Sequence, residues 1–146
     1  MAILNEIALP AAAGARVVVH MCRGNAYDFT NRGNRSAERP YYSRVAAGLS
    51  RINIDGISVE DPCVPGSLEL ASFGDKHIFF GAADVHTAEA ESMDSLMKIV
   101  DRGLREVGEE RLTLTPKRGM RHFAPEDATR KMSALKSCAD IIFSRT

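Results

Sequence analysis

The chain has 146 residues, 45% of them hydrophobic and 26% charged, which suits a single globular domain and excludes a low-complexity or disordered segment. Nineteen basic and nineteen acidic residues cancel, so net charge points to neither nucleic acid nor an anionic membrane as a partner. No apolar run is long enough for a bilayer, the N-terminus lacks the basic start and apolar core of a secretory leader, and Cys22, Cys63 and Cys138 form no disulfide pattern; a reducing, cytoplasmic setting is expected.

Residues 3–13 read as the end of a helix that starts before the chain does, or as a frayed terminus, closed by Pro10 and Gly14. Arg16–Cys22 is a β-branched run typical of a buried parallel strand, and Gly24 and Asn25 break it. The stretch from Arg23 to Arg39 holds four arginines, three asparagines and two glycines without an apolar period, and reads as a long loop. Pro40 opens a helix with Tyr42, Val45, Ala46 and Leu49 on its apolar face.

Gly56–Glu60 is the second expected strand, ended by Asp61-Pro62 and followed by a rigid turn at Cys63–Gly66. Ser67–Phe73 suits one short helix. The third strand runs from about Ile78 to Asp84, nearly all apolar, as buried parallel strands are. Ser92 caps a helix whose stripe is Met93, Leu96, Met97, Val100, Leu104 and Val107. Arg111–Pro116 is the fourth strand. Lys117–Ala124 is a basic loop, and Pro125 starts a last helix with Glu126 and Asp127 in its first turn, where the helix dipole favours negative charge. Its expected buried stripe is Ala128, Met132, Leu135, Ala139 and Ile142, with Cys138 on or near it.

Strand–helix alternation repeated four times predicts an α/β fold with a parallel sheet and right-handed crossovers. It closes either as an open sheet or as part of a (β/α)8 barrel; a whole barrel takes about 250 residues, so four units make half of one. In both, polar residues at the strands' carboxyl ends gather on one rim, where ligands bind. That rim would collect His20 and Cys22, Glu60 and Cys63, Asp84 and His86, and Lys117 and Arg118. On a strand, His20 and Cys22 share a face, and an imidazole, a thiol and a carboxylate from adjacent strands suit a zinc site with an open position. Each residue has a plainer reading as well: a packed His/Cys pair, a rim salt bridge between Glu60 and Arg118, a cap by His86 and Thr87.

Taken together, His20-Met-Cys-Arg-Gly-Asn25, Ile57-Ser-Val-Glu60, Gly81-Ala-Ala-Asp-Val-His86 followed by Glu91-Ser92, and Glu110-Arg-Leu-Thr-Leu-Thr-Pro116 resemble cobalamin-independent methionine synthase, in the second half of its C-terminal catalytic barrel. The resemblance extends from about Leu4 to Ile142, and implies that residues 1–146 form one domain, the last four βα units of a TIM-type barrel. It also implies zinc held by His20, Cys22 and Glu60, and a proton relay at His86. The implied reaction moves a methyl group from 5-methyltetrahydrofolate to the homocysteine thiolate. The sequence departs from the family pattern in two ways. Where the family's Pro-x-Cys-Gly motif supplies a further zinc cysteine, it reads Pro116-Lys117-Arg118-Gly119, and arginine has no lone pair to offer. The first half of the barrel is absent. A complementing chain or a homodimer is therefore expected. Cys63, three residues past Glu60 in the loop at the same rim, is a candidate substitute thiolate, but Pro62 and Pro65 restrict that loop and weigh against it. The alternatives are a non-catalytic relic or binding subunit, and a related zinc-thiolate alkyltransferase acting on another thiol.

Overall fold

Alternation of apolar and polar residues decides which face of each strand is covered. The structure, a computed structural model, describes residue 6 and residues 14–21, 40–60 and 69–144, side chains at 40–44 excepted. The helix expected over residues 3–13, the loop from Arg23 to Arg39, Cys22 and the Cys63–Gly66 turn lie outside the described residues. Within them, β1 (Val18–Met21), β2 (Gly56–Val59), β3 (His77–Ala83) and β4 (Leu112–Pro116) form one sheet in the order β1-β2-β3-β4, every neighbouring pair parallel. The helices are α1 (Pro40–Leu49), α2 (Met93–Val107) and α3 (Pro125–Phe143), and a 3-10 turn at Leu70–Phe73 stands where one short helix was expected.

The register sets side chains in rows across the sheet. Val19, Ile57, Ile78 and Leu112 form one row, and Met21, Val59, Phe80 and Leu114 another. All eight belong to the core or pack against it, alongside Leu96, Val100, Leu135 and Cys138 from the helices. Each large side chain removed from water here contributes about 2 kcal/mol. The intervening row is His20, Ser58, Phe79 and Thr113, and none of these joins the core. Among the described residues the helices thus cover one face of the sheet. A doubly wound sheet is covered on both faces and reverses its strand order; this sheet does neither, and the architecture is parallel βα repeats forming half of a TIM-type barrel.

Ser92 caps α2 as expected, its Oγ accepting the Ser95 N–H at 3.3 Å. Leu96, Val100, Gly103 and Val107 are buried along its stripe. At Gly103 a Cβ would sit 3.1 Å from the Phe80 ring and 3.2 Å from Leu112, so the missing side chain lets α2 lie close on β3 and β4. In α1, Ala46 and Leu49 are buried, but Val45 is exposed. The expected stripe of α3 is rotated by one residue. Lys131, Leu135, Cys138 and Ile142 are buried, and Met132 is 46% exposed. The rotation follows from what α3 packs against at its start: a carboxylate and a carbonyl that take up a lysine head. Beside β4 an apolar groove of about 430 Å³ opens between Leu112, Leu114, Met132, Leu135, Ala139 and Phe143. No described helix is long and apolar enough to cross a membrane.

Candidate active site

The carboxyl ends of β2, β3 and β4 approach one another because Gly81 allows it. A Cβ at this position would lie 2.7 Å from the Val59 carbonyl oxygen, 2.8 Å from that of Glu60 and 2.8 Å from Lys117 Cα. Glycine therefore draws the ends of β2 and β4 against β3. Glu60, one residue past β2, is 2% exposed, and Arg118 Nε stands 3.7 Å from its Oε1. His20, in the intervening row of β1, shares a 2.9 Å hydrogen bond between its Nδ1 and Ser58 Oγ on β2. That contact orients the ring through one nitrogen and leaves Nε2 for a ligand.

Immediately after β3, Asp84 and His86 form a pair. His86 Nδ1 lies 2.8 Å from Asp84 Oδ1, and the His86 backbone N–H donates to Asp84 Oδ2 at 3.3 Å. Lys117, just past β4, donates to Asp84 Oδ1 at 3.2 Å and ties its own backbone N–H to the Ala83 carbonyl at 2.9 Å. Burial on its own would raise the Asp84 pKa, but the hydrogen bond from His86 and the Lys117 ammonium outweigh it and hold the carboxyl down to about 2. An ionised carboxylate only accepts, so the proton of this hydrogen bond sits on Nδ1.

The segment that carries His86 is fastened from the far side of the sheet. Asp84 N–H donates to Glu91 Oε1 at 2.5 Å, and Lys131 Nζ, fully buried on α3, donates to the same oxygen at 3.2 Å and to the Glu89 carbonyl. His122 Nε2 donates to the Val85 carbonyl at 2.9 Å. The Lys131 ammonium also lies 5.9 Å from the centre of the Phe123 ring.

Of the residues singled out in the sequence, His20, Glu60, Asp84, His86, Lys117 and Arg118 all stand at this rim, each at or just past a strand's carboxyl end. Cys22 and Cys63 lie outside the described residues, and among those described no three of His, Cys, Asp or Glu gather as a metal cluster. The Glu60–Arg118 contact is the rim salt bridge that the plainer reading of Glu60 foresaw. Lys131 and His122 were missed, and Glu91 was seen only as part of a motif. For Lys131 a signal existed: it completes the 131, 135, 138, 142 stripe, a lysine at helical spacing with apolar residues.

A family model described as the catalytic domain of cobalamin-independent synthase matches residues 6–140. The methionine synthase of Methanothermobacter thermautotrophicus is 34% identical over 91 residues, 60% of this chain and 30% of the relative. That of Methanothermobacter marburgensis is 31% identical over 100 residues, 66% of this chain and 32% of the relative. In fold, the chain is similar to the B12-independent methionine synthase from Shewanella sp. W3-18-1, solved in complex with selenomethionine. The TM-score is 0.76 at 23% identity, over 92% of this chain and 40% of that one. The chain thus spans about a third of the curated relatives it matches. The motif order, the parallel half-barrel and the match over residues 6–140 agree, and the chain belongs to the family of cobalamin-independent synthase catalytic domains.

Proposed function

We propose that this chain is a single domain, the zinc-binding half of a methionine-synthase barrel, and that with the other half in place it moves a methyl group from 5-methyltetrahydrofolate to homocysteine. The observation that carries the reading is the Asp84–His86 pair, set at the carboxyl rim of a parallel half-barrel to which β1 and β2 also bring His20 and Glu60. Family membership supports the same reaction class.

The donor chemistry fits a zinc ion. His20 offers an imidazole whose Nδ1 is engaged by Ser58, Glu60 a buried carboxylate and Cys22 a thiol, one nitrogen, one oxygen and one sulfur with a position left for substrate. Bound zinc would lower the pKa of a substrate thiol and so supply a thiolate nucleophile. Arg118 opposes a divalent cation at Glu60, and affinity is therefore weak but measurable. His86 holds and passes the proton that the folate N5 must gain to leave, and Asp84 fixes the imidazole so that Nε2 exchanges it. A cytoplasmic, reducing setting keeps Cys22 as a thiol.

A specific observation favours a second reading. Where the family motif has a cysteine, the Arg118 guanidinium already faces Glu60, as expected of a non-catalytic relic or binding subunit that has lost its metal. Metal analysis of the purified chain, joined to a methyl-transfer assay with the first half-barrel added, separates the two. Zinc that is bound by the wild type and lost in Cys22→Ser supports the enzyme; no zinc in either supports the relic.

A further inference from the structure

A fully buried lysine is the least expected residue in this molecule. Lys131 occupies the sheet-facing stripe of α3 with Leu135, Cys138 and Ile142. Burying an ammonium is costly unless it is paired and hydrogen-bonded, and an apolar residue would fill such a site at no loss of stability. Packing does not explain the charge. Its partners do: the ammonium meets the Glu89 carbonyl and Glu91 Oε1, both in the segment that joins β3 to α2.

The contacts run on from there. The Glu91 oxygen that takes the ammonium also accepts the Asp84 N–H at 2.5 Å, and Asp84 Oδ1 takes the His86 Nδ1 proton at 2.8 Å. Glu91 Oε2 is buried with no hydrogen-bond partner among the described residues. Among the described residues the hydrogen bonds of this carboxylate therefore all fall on Oε1, where Lys131 is its charged partner. Residues 86–90 are exposed and have no regular secondary structure, so the place of His86 depends on side-chain contacts such as those it makes to Asp84. Lys117 and His122 hold its first two residues, Asp84 and Val85; Lys131 and Glu91 hold its far end and bind it back to Asp84.

We propose that Lys131, acting through Glu91, is a positioning residue for the Asp84–His86 pair: the buried ion pair closes the 84–91 segment on itself and fixes where the imidazole stands. Its effect on turnover rests on the reading of His86 as the proton carrier, but the positioning itself does not.

The test uses the chain as it is, followed by amide hydrogen exchange and by the ¹⁵N resonances of the His86 ring. Lys131→Met should speed exchange at the hydrogen-bonded amides of Asp84 and His86 by about tenfold or more, with Ile57–Val59 of β2 changing by less than about twofold. It should also move the His86 Nδ1 resonance. Adding Glu91→Gln to that variant removes the stranded charge while keeping an acceptor for Asp84 N–H; the ion pair is still missing, so both signals should stay displaced, and their return to wild-type values would show that a stranded charge and not the lost pair moved them, which overturns the proposal. If exchange rises equally in β2, or the His86 resonance stays in place, Lys131 is merely structural and the proposal fails. If Lys131→Met does not fold, Glu91→Gln alone decides by the same signals: a moved His86 Nδ1 resonance supports the proposal, and an unchanged one overturns it. None of these readouts needs turnover, so a protein without methyl-transfer activity would count against the proposed function and leave this inference standing.

Discussion

Arg118 and Glu60 face each other at 3.7 Å, Nε to Oε1, with the carboxylate almost wholly withdrawn from water. A buried carboxylate needs a counter-charge, and the guanidinium that follows β4 supplies one. Any cation arriving at Glu60 must displace that partner or share the carboxylate with it.

Arg118→Cys removes the opposing charge and adds a thiolate, and should raise zinc affinity by about tenfold or more. Competition against a chromophoric chelator measures it, and Cys22→Ser in the same background should abolish binding. An unchanged affinity in a folded Arg118→Cys protein would remove His20, Cys22 and Glu60 as the ligand set.

His86→Asn should lower turnover by about a hundredfold or more and leave zinc content as it was, because a proton carrier contributes to the rate and not to the metal. The assay requires the completed barrel. Zinc lost along with activity would make His86 a ligand.

Two groups set the pH dependence of stability. Asp84 has a folded pKa of about 2, below its unfolded value of 3.8, so its contribution is full above about pH 4 and is lost as pH falls toward 2. Asp84→Asn should cost on the order of 1–2 kcal/mol at neutral pH and flatten the acid limb of the urea midpoint. His77 is held below 6.5 by burial first and then by Arg16 and Arg111, and its Nε2 meets Thr113 Oγ1 at 2.8 Å. It therefore contributes stability above pH 6.5 that declines on acidification, and His77→Gln should reduce the slope between about pH 7 and 5.

Gly81→Ala should destabilise the chain by about 2 kcal/mol or more, since its methyl group would meet three backbone atoms that no side-chain rotation can move. Thermal unfolding measures the loss. An alanine accepted without cost would show that β2 and β4 do not need the approach through which Glu60 meets Arg118.

Among the described residues, one row of the sheet lies outside the core and an apolar groove opens between β4 and α3, faces that pack against neighbouring units in a complete barrel. Co-expression with the first half-barrel of a relative should yield a soluble complex, and the chain alone should self-associate or aggregate. A stable monomer at high concentration in sedimentation would count against both.

Local pattern carried much of this molecule. β-branched runs, Ser92 as a cap and the prolines at Pro40 and Pro125 place the strands and helices within a residue or two, because backbone preference and apolar period act over a few neighbours. The order of the rim motifs carried the family. Contacts between distant residues decided the rest. Sequential strand order with helices on one face, and not a reversal, selects the barrel, since only packing across the sheet distinguishes the two closures. The stripe of α3 turns by one residue because Lys131 meets Glu91, forty positions away, and burial of a lysine depends on a partner that periodicity does not register. Asp84 and His86 are two residues apart in the chain and their pairing was within reach of it. The Lys117 ammonium, which helps to hold Asp84 ionised, and the Arg118 guanidinium at Glu60 came into place only when β4 closed against β3 and β2.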